Sequence, residues 1–421
     1  MTPTPQTLRA FWSLWIAQAG SLLGSTAVQF ALIWWLTATT GSAAVLATAT
    51  LVGLTPRIVL GPLIGALVDR WSRKTVMLTA DLAVGIVSLL LAFLFWRGSP
   101  GVPIVLALLA VRGVGEAFHG PAFQASMSLM VPESMLVRIQ GLNQMIQGSG
   151  LIVAAPVGAI LYGTLPMAGV MLADLATALP ALLVLVGTAI PRHPGAGAGG
   201  ARGSSLWREI VEGLRWVAAR RGHAVLLGLA VLVNALIVPA FSLLPLLVSE
   251  GGGQAGHVAG LYSSLGIGML AGGLLLGVTA GFTRRIHTTL VGMAALGIAT
   301  LALGVLPALP PWPSLLAILT VGAMASVTNA PVQAILQATV PPELQGRVLT
   351  LFVTLATAAT PLGLVAAAPV AEVLGVRAWY LAGGVAAAGA AAVARFVPAL
   401  LAIEEARPGP PTGGGRAALS M

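Results

Sequence analysis

Twelve long apolar segments constrain this chain more than any other feature. Each segment has about 20 residues, enough for a helix to cross a hydrocarbon layer about 30 Å thick. Turn-forming residues such as Thr40-Gly41-Ser42 and Pro310-Pro311 separate neighbouring segments. The sequence therefore predicts an all-α integral membrane protein with twelve transmembrane helices. The predicted spans are residues 11–36, 43–66, 75–96, 103–127, 139–163, 167–190, 224–248, 258–281, 286–307, 312–337, 347–371 and 378–401.

The composition and the placement of charge support a lipid environment. The chain is 57% hydrophobic and 8% charged, against about 45–50% apolar and 25% charged residues in soluble domains. Most basic residues fall on one side of the predicted spans, which is typical of cytoplasmic loops and places both termini in the cytoplasm. The net charge of +9 is thus a matter of topology. No nucleic-acid partner is expected, because basic patches interleaved with aromatic residues are missing.

The residue types that enzymes need are scarce. The chain has no cysteine, which excludes disulfides, thiolate catalysis and cysteine metal sites. No spacing of His, Asp and Glu indicates a metal site, a nucleophile with its base, or a pair of catalytic acids. We therefore expect neither an enzyme nor a bound cofactor or metal.

The second half of the chain repeats features of the first. A displacement of 210 residues places Pro121 over Pro331, and Glu133 over Glu343. A displacement near half the length indicates two six-helix bundles in parallel, related by an axis along the membrane normal. The predicted units are an amino-terminal bundle at 1–190, a cytoplasmic linker at 191–222, a carboxy-terminal bundle at 223–405 and a flexible cytoplasmic tail at 406–421.

The linker contains an amphipathic segment at 206–221. Four apolar residues share one face of a helix in this segment, and charged residues lie elsewhere; the four are Leu206, Ile210, Leu214 and Val217. This pattern predicts a helix on the inner membrane surface, which either tethers the two halves or takes part in regulation.

Ionisable residues within apolar spans are costly unless they are paired or face water. The fourth span carries Arg112, Glu116 and His119 at positions i, i+4 and i+7, which lie within one narrow stripe of a helix. We predict that the stripe lines a cavity and that Glu116 carries a proton. The alternatives are a static ion pair of Glu116 with Arg112 or Arg57, and a packing role for His119.

Polar stripes among aliphatic residues predict the wall of a substrate cavity. Few of these residues are ionisable, which favours a large amphipathic substrate over a small, highly charged one. The stripes could instead join helices by hydrogen bonds. The candidates are Gln18, Ser25, Gln29, Asn234, Asn329, Gln333, Gln337 and Thr354.

The loop after the second span concentrates charge. Gly61 and Gly65 lie four residues apart, a spacing that lets helices approach closely, and Asp69 is placed to face a helix N-terminus or a cation. The stretch "GPLIGALVDRWSRK" resembles the loop 2–3 signature of the major facilitator superfamily. The resemblance implies a cytoplasmic gate in which Asp69, Arg70, Arg73 and Lys74 make and break pairs between the halves. The alternative is that these charges only set the topology.

Other stretches resemble the macrolide-efflux and enterobactin-exporter branch of twelve-span drug:proton antiporters. They are "GSTAVQFALIWWLTATTGSA", "RGVGEAFHGPAFQASMSLMVPE", "GLNQMIQGSGLIVAAPVGAILY" and "LADLATALPAL". The resemblance implies a monomeric exporter in the bacterial cell (inner) membrane, which exchanges protons for a lipophilic or amphipathic small molecule. An uptake permease or a lipid flippase on the same fold is the alternative.

The resemblance also assigns roles to single residues. Arg112 lies where the family has an arginine implicated in proton coupling, and Asp174 is a second candidate proton site. Asp81 is read as structural, a partner for the loop arginines. Ala155, Pro156 and Gly158 keep part of the antiporter motif of helix five. Two departures are that the first span lacks the usual acid and that the second-half counterpart "GVTAGFTRR" has no acid, which predicts a one-sided gate.

Overall fold

The computed structural model describes residues 5–132, 150–190, 206–279, 284–307 and 311–405, together with single positions between 135 and 148. Within the described helices, the surroundings of residues 5–7, 61–63, 65–70, 128, 206–210, 342–343 and 346 are not described. In these ranges the regular structure is entirely helical. Eleven of the described helices are long and apolar enough to cross a membrane.

Helices α1 to α6 form the first half. They are α1 (Pro5–Thr40), α2 (Ala43–Arg70), α3 (Arg73–Arg97), α4 (Val102–Met130), α5 (Ala155–Thr164) and α6 (Met167–Gly187). Helix α5 continues a π-helical turn at Gly150–Ala154, and this shorter apolar segment coincides with the end of the fifth predicted span. Pro156 follows this turn. In a regular α-helix its ring would clash with the carbonyl group of the residue four positions earlier, which lies in the π-helical turn.

Helices α7 to α15 form the linker helix and the second half. They are α7 (Leu206–Ala218), α8 (Arg221–Ser242), α9 (Leu244–Glu250), α10 (Ala255–Thr279), α11 (Arg285–Val305), α12 (Trp312–Thr339), α13 (Pro342–Leu374), α14 (Val376–Ala394) and α15 (Pro398–Leu401). The seventh predicted span, residues 224–248, is divided at Leu243 into α8 and α9. Pro239 and Pro245 lie on either side of this break and disfavour a continuous helix.

The linker helix α7 packs against α8 and α13. Trp216 and Val217 are buried there, whereas the Leu214 side chain is 46% exposed. The prediction that the four apolar residues face the membrane surface stays a prediction. The packed face includes Trp216, whose indole ring offers a large apolar area to the second half.

We call the end of the molecule where α1 begins and α2 finishes the basic end. Its basic residues include Arg73, Lys74, Arg220, Arg221, Arg284, Arg285, Arg347 and Arg395. The opposite end, where α1 finishes and α2 begins, carries Arg97 and Arg377. This asymmetry agrees with the charge distribution that the sequence predicts.

The two halves pack together at the opposite end. Trp34 and Leu46 of the first half share a core cluster with Leu243 and Tyr380 of the second. Nearby, Ala47 packs against residues 364 and 368 of α13. Among the described helices, the halves are joined mainly by α2 with α13 and α5 with α10, and also by α1 with α9 and α2 with α8.

At the basic end each half has its own core. One cluster contains Phe11, Met77 and Met130, and all its members belong to the first half. A second cluster contains Ile286 and Leu336, with all its members in the linker helix and the second half. Among the described residues, the halves are thus closed against each other at the opposite end and packed separately at the basic end.

Candidate functional site

The centre of the candidate site is a buried ion pair between α4 and α6. Arg112 Nη1 lies 2.6 Å from Asp174 Oδ2, and the two side chains are 3% and 1% exposed. Ser88 of α3 donates its hydroxyl to Asp174 Oδ2 at 2.6 Å, and Ser25 of α1 donates to Oδ1 at 2.7 Å. Charges taken out of water need a close partner and further hydrogen bonds, and Asp174 has both. Four helices of the first half are joined at this point.

Glu116 belongs to the same network but has different surroundings. Its Oε1 lies 3.1 Å from Arg112 Nε, and its side chain is 59% exposed. With 3.6 residues per turn, Glu116 points roughly 140–160° away from Val111 and Val114, the exposed apolar residues of the outer face of α4. The exposed carboxylate therefore opens toward the inside of the molecule. Arg112 is its described ion-pair partner, not Arg57.

A second polar group lies nearer the basic end. Gln18 of α1 donates to Asp81 Oδ2 of α3 at 3.1 Å, and His119 Nε2 of α4 lies 3.3 Å from Asp81 Oδ1. The imidazole stacks on Phe123 with ring centroids 6.0 Å apart. The described partners of Asp81 are on α1 and α4. The surroundings of Arg70 lie outside the described residues, so a pairing of Asp81 with the loop arginines stays a prediction.

The two polar groups bring acids from other helices to α1, which has no acid of its own in its span. Asp81 and Asp174 reach Gln18 and Ser25 from α3 and α6. Gln18 is 5% exposed, and Ser25 is engaged by the buried carboxylate. Both residues thus join helices by hydrogen bonds, as in the alternative interpretation, and their part in the substrate cavity stays a prediction.

Sequence reasoning missed Ser88. It lies seven residues after Asp81, which places both side chains on the same face of α3. A hydroxyl two turns from an acid, in a helix otherwise rich in Leu and Val, is the signal that would have identified it.

The other predicted cavity residues are spread over α1, α8, α12 and α13. Gln29 and Asn234 are half-buried, and Asn234 donates to the Ala230 carbonyl of its own helix at 2.9 Å. Asn329 is exposed and donates to the Ala325 carbonyl at 3.0 Å. The remaining three, which are also exposed, are Gln333, Gln337 and Thr354. The predicted cavity residues of the second half are thus uncharged, whereas the polar cluster of the first half contains ionised side chains.

The predicted gating loop is only partly described. Lys74 Nζ donates to the carbonyls of Val186 at 2.7 Å and Thr188 at 2.8 Å, at the end of α6. Lys74 is thus bound within its own half in this conformation. Arg73 is 9% exposed, and its Nε has no hydrogen-bond partner in the described part of the chain. The surroundings of Gly61, Gly65, Asp69 and Arg70 lie outside the described residues.

In the second half, the counterpart of this loop contacts two acidic residues that lie near the carboxy-terminal end of the described chain. Arg284 Nη2 lies 2.9 Å from Glu405 Oε1, and Glu404 Oε1 accepts the Ile286 N–H at 2.8 Å. Both acids follow α15. The sequence "GVTAGFTRR" has no acid of its own, yet the segment after the last span supplies two.

Helix α5 packs tightly on α1. A Cβ atom at Gly158 would overlap the carbonyl oxygen of Ala27 and lie 2.9 Å from the Phe30 ring. Ala155 is also buried, and Pro156 is half-buried. The small residues of this segment thus allow a backbone approach that larger ones would prevent.

Comparison with known proteins places this arrangement in a family. The family model described as Major Facilitator Superfamily matches residues 14–364. The chain belongs to this superfamily. It is therefore a multi-pass membrane transporter of small molecules and not an enzyme.

Two curated relatives cover most of the chain. Macrolide efflux protein A of Streptococcus pyogenes is 33% identical over 379 residues, which are 89% of this chain and 92% of the relative. Multidrug efflux pump Tap of Mycolicibacterium fortuitum is 29% identical over 377 residues, 86% of this chain and 89% of the relative.

Solved structures show the same fold at low sequence identity. A bacterial homologue of the human lysosomal transporter Spinster, in an inward-facing and unoccupied conformation, has a TM-score of 0.69 and 16% identity, over 96% of this chain and 98% of that chain. A bacterial homologue of the iron transporter ferroportin, in an inward-facing state, has a TM-score of 0.65 and 17% identity, over 92% and 98% of the two chains.

Proposed function

We propose that the protein exports lipophilic or amphipathic small molecules, such as macrolides, other drugs or siderophore-like compounds, by alternating access and proton antiport. The observation that carries the direction of transport is the 33% identity to a macrolide efflux protein over 89% of the chain. The second relative is a multidrug efflux pump. Two six-helix halves rock about the central cavity of a single, monomeric chain.

In this proposal the protein lies in the bacterial inner membrane. Its basic end and both termini are on the cytoplasmic side, since positive charge gathers in cytoplasmic loops. The halves are closed at the opposite end, so substrate enters from the cytoplasm or the inner leaflet. Asp69, Arg70, Arg73 and Lys74 then hold the basic end closed in the alternate conformation, with Gly61 and Gly65 allowing close approach.

Glu116 is the proton carrier in this proposal. Arg112 is shared by two carboxylates, and Asp174 holds it with two hydroxyl donors in a fully buried setting. Glu116 has the weaker hold on Arg112 and an exposed side chain. It can therefore gain or lose a proton without leaving Arg112 as an uncompensated buried charge. Asp81 and His119 lie between this cluster and the basic end, where they can pass protons to the cytoplasm.

The substrate contacts the apolar walls and the exposed amide and hydroxyl groups of the second half. A large amphipathic molecule gains from apolar area and a few placed hydrogen bonds. The contact residues in this proposal are Gln29 of the first half and Asn234, Asn329, Gln333, Gln337 and Thr354 of the second half.

The first test measures the accumulation of a fluorescent dye and a labelled macrolide in cells with and without the protein. Export lowers accumulation, and a protonophore should abolish the effect. Export that survives the protonophore would remove proton antiport, and raised accumulation would favour uptake. Transfer of a labelled lipid between leaflets, without drug export, would favour a flippase.

The second test compares Glu116→Gln with Glu250→Gln in vesicles with an imposed proton gradient. Glu116→Gln should lose uphill transport by at least about tenfold, as expected for loss of a group that exchanges protons, while substrate binding persists. Glu250 lies in α9 at the opposite end, so its substitution serves as the control. Full uphill transport by Glu116→Gln over several pH values would contradict the assignment.

A further inference from the structure

A carboxylate of the second half caps a helix of the first half. Glu372 lies in the last turn of α13, and its Oε1 accepts the Ser42 hydroxyl at 3.0 Å and the Ala44 N–H at 3.2 Å. Ser42 precedes α2, and its hydroxyl oxygen accepts the Val45 N–H at 3.4 Å. The first turn of α2 is thus held by its own serine and by an acid from the other half.

This contact is favourable for two reasons. The first N–H groups of a helix have no partner within the helix, and the helix dipole attracts negative charge to this end. The Glu372 carboxylate accepts one of these N–H groups and also places a negative charge at this end of the helix. Beside it, Ala47 of α2 packs against Leu364 and Ala368 of α13, so the polar contact continues an apolar one.

The partners lie on different halves, so the contact can exist in only one conformation. When the halves separate at the opposite end, Glu372 leaves the start of α2 and both hydrogen bonds break. A cap that only stabilised α2 could have come from the first half itself, as the Ser42 cap does. Because the acid comes from α13, the free energy gained from this cap is available only while the halves are closed at the opposite end.

We propose that Glu372 is the latch of the opposite end and the counterpart of Asp69 at the basic end. Helices α2 and α13 run antiparallel. Asp69 lies in the last turn of α2, at the end where α13 begins. Each helix therefore carries an acid in its last turn, at the end of the molecule where its neighbour begins, and in this proposal the two acids make their contacts alternately. The proposal rests on alternating access in the proposed function but needs neither its substrate nor its protons.

The test uses the natural absence of cysteine. Ala47→Cys introduces a single thiol at a position that is 2% exposed between the halves. In detergent, the rate of its reaction with a maleimide measures how often the opposite end opens. Glu372→Ala should raise this rate about two- to fivefold, the range for an exposed carboxylate at a helix N-terminus. Asp69→Asn should lower it, and Glu250→Gln should leave it unchanged.

Ser42→Ala removes one partner of the carboxylate and provides a second variant. It should raise the rate as well, and its combination with Glu372→Ala should raise it by less than the product of the two single effects. A thiol at Ala122, which is buried in the core of the first half, reports general loosening. Its rate should not change in any variant.

Two results would overturn the latch. One is a Glu372→Ala rate equal to that of Glu250→Gln, and the other is an equal increase at Ala122→Cys. The reaction is followed without substrate and without a proton gradient. A failure of drug export or proton coupling would therefore leave this measurement, and the latch, unaffected.

Discussion

At the scale of single residues, one arginine serves two acids in different surroundings. Asp174 is 1% exposed and accepts three hydrogen bonds from side chains on three other helices. Glu116 is 59% exposed and holds Arg112 through one oxygen. The buried acid fixes the arginine, and in the proposed function the exposed acid carries the proton. That proposal divides stability and coupling between two carboxylates on the same cation.

This division predicts unequal effects of the two acids on stability. Asp174→Asn leaves Arg112 buried without a full counter-charge, and we expect a loss of about 3–5 kcal/mol in the free energy of unfolding. Glu116→Gln changes an exposed pair and should cost less than about 1 kcal/mol. Thermal unfolding of both purified variants in detergent measures the difference. A larger loss for Glu116→Gln than for Asp174→Asn would contradict the division.

At the scale of helices, small residues decide how closely neighbours approach. In α5, Gly158 contacts the α1 backbone so closely that no Cβ can be accommodated. Gly163, one turn further on, has nothing within 4 Å of a Cβ placed there. The two glycines belong to one helix, and Gly163, in its last turn, has the free space that Gly158 lacks.

Alanine substitutions at these two positions should therefore act in opposite directions. Gly158→Ala forces α5 away from α1 and should destabilise the protein by about 1–3 kcal/mol, as overpacking does. Gly163→Ala should be neutral or should stabilise by up to about 1 kcal/mol, because alanine favours the helix. Unfolding temperatures in detergent distinguish the two. Equal losses at both positions would show that glycine is needed here for helix flexibility and not for close packing.

At the scale of the whole molecule, the halves meet at one end and are packed separately at the other. Trp34 and Leu46 lie in a cluster shared with the second half, and Phe11 and Met77 lie in a cluster confined to the first. Alternating access requires that this asymmetry reverse. The closed end must open while each half keeps its own core.

A short cross-link across the closed end should therefore stop transport without preventing binding. Ala47 and Ala368 pack in one cluster, and cysteines at both positions can be joined by a short bismaleimide. We expect the cross-linked protein to bind substrate from the basic end but to lose turnover by at least tenfold, an order-of-magnitude expectation for a locked two-state element. Each single-cysteine variant, treated in the same way, is the control. Turnover that persists after complete cross-linking would contradict rocking of the halves.

The sequence by itself determined the membrane class, the helical fold, most span positions and the shared face of Arg112, Glu116 and His119 on α4. These follow from local length, hydrophobicity and the 3.6-residue period, which hold whatever the neighbours are. Only the tertiary structure decided which partners meet. It joined Asp174 to Ser25 and Gln18 to Asp81, and it brought Glu372 to the start of α2. Such pairings link residues 63 to 330 positions apart, and no local pattern records which helices become neighbours.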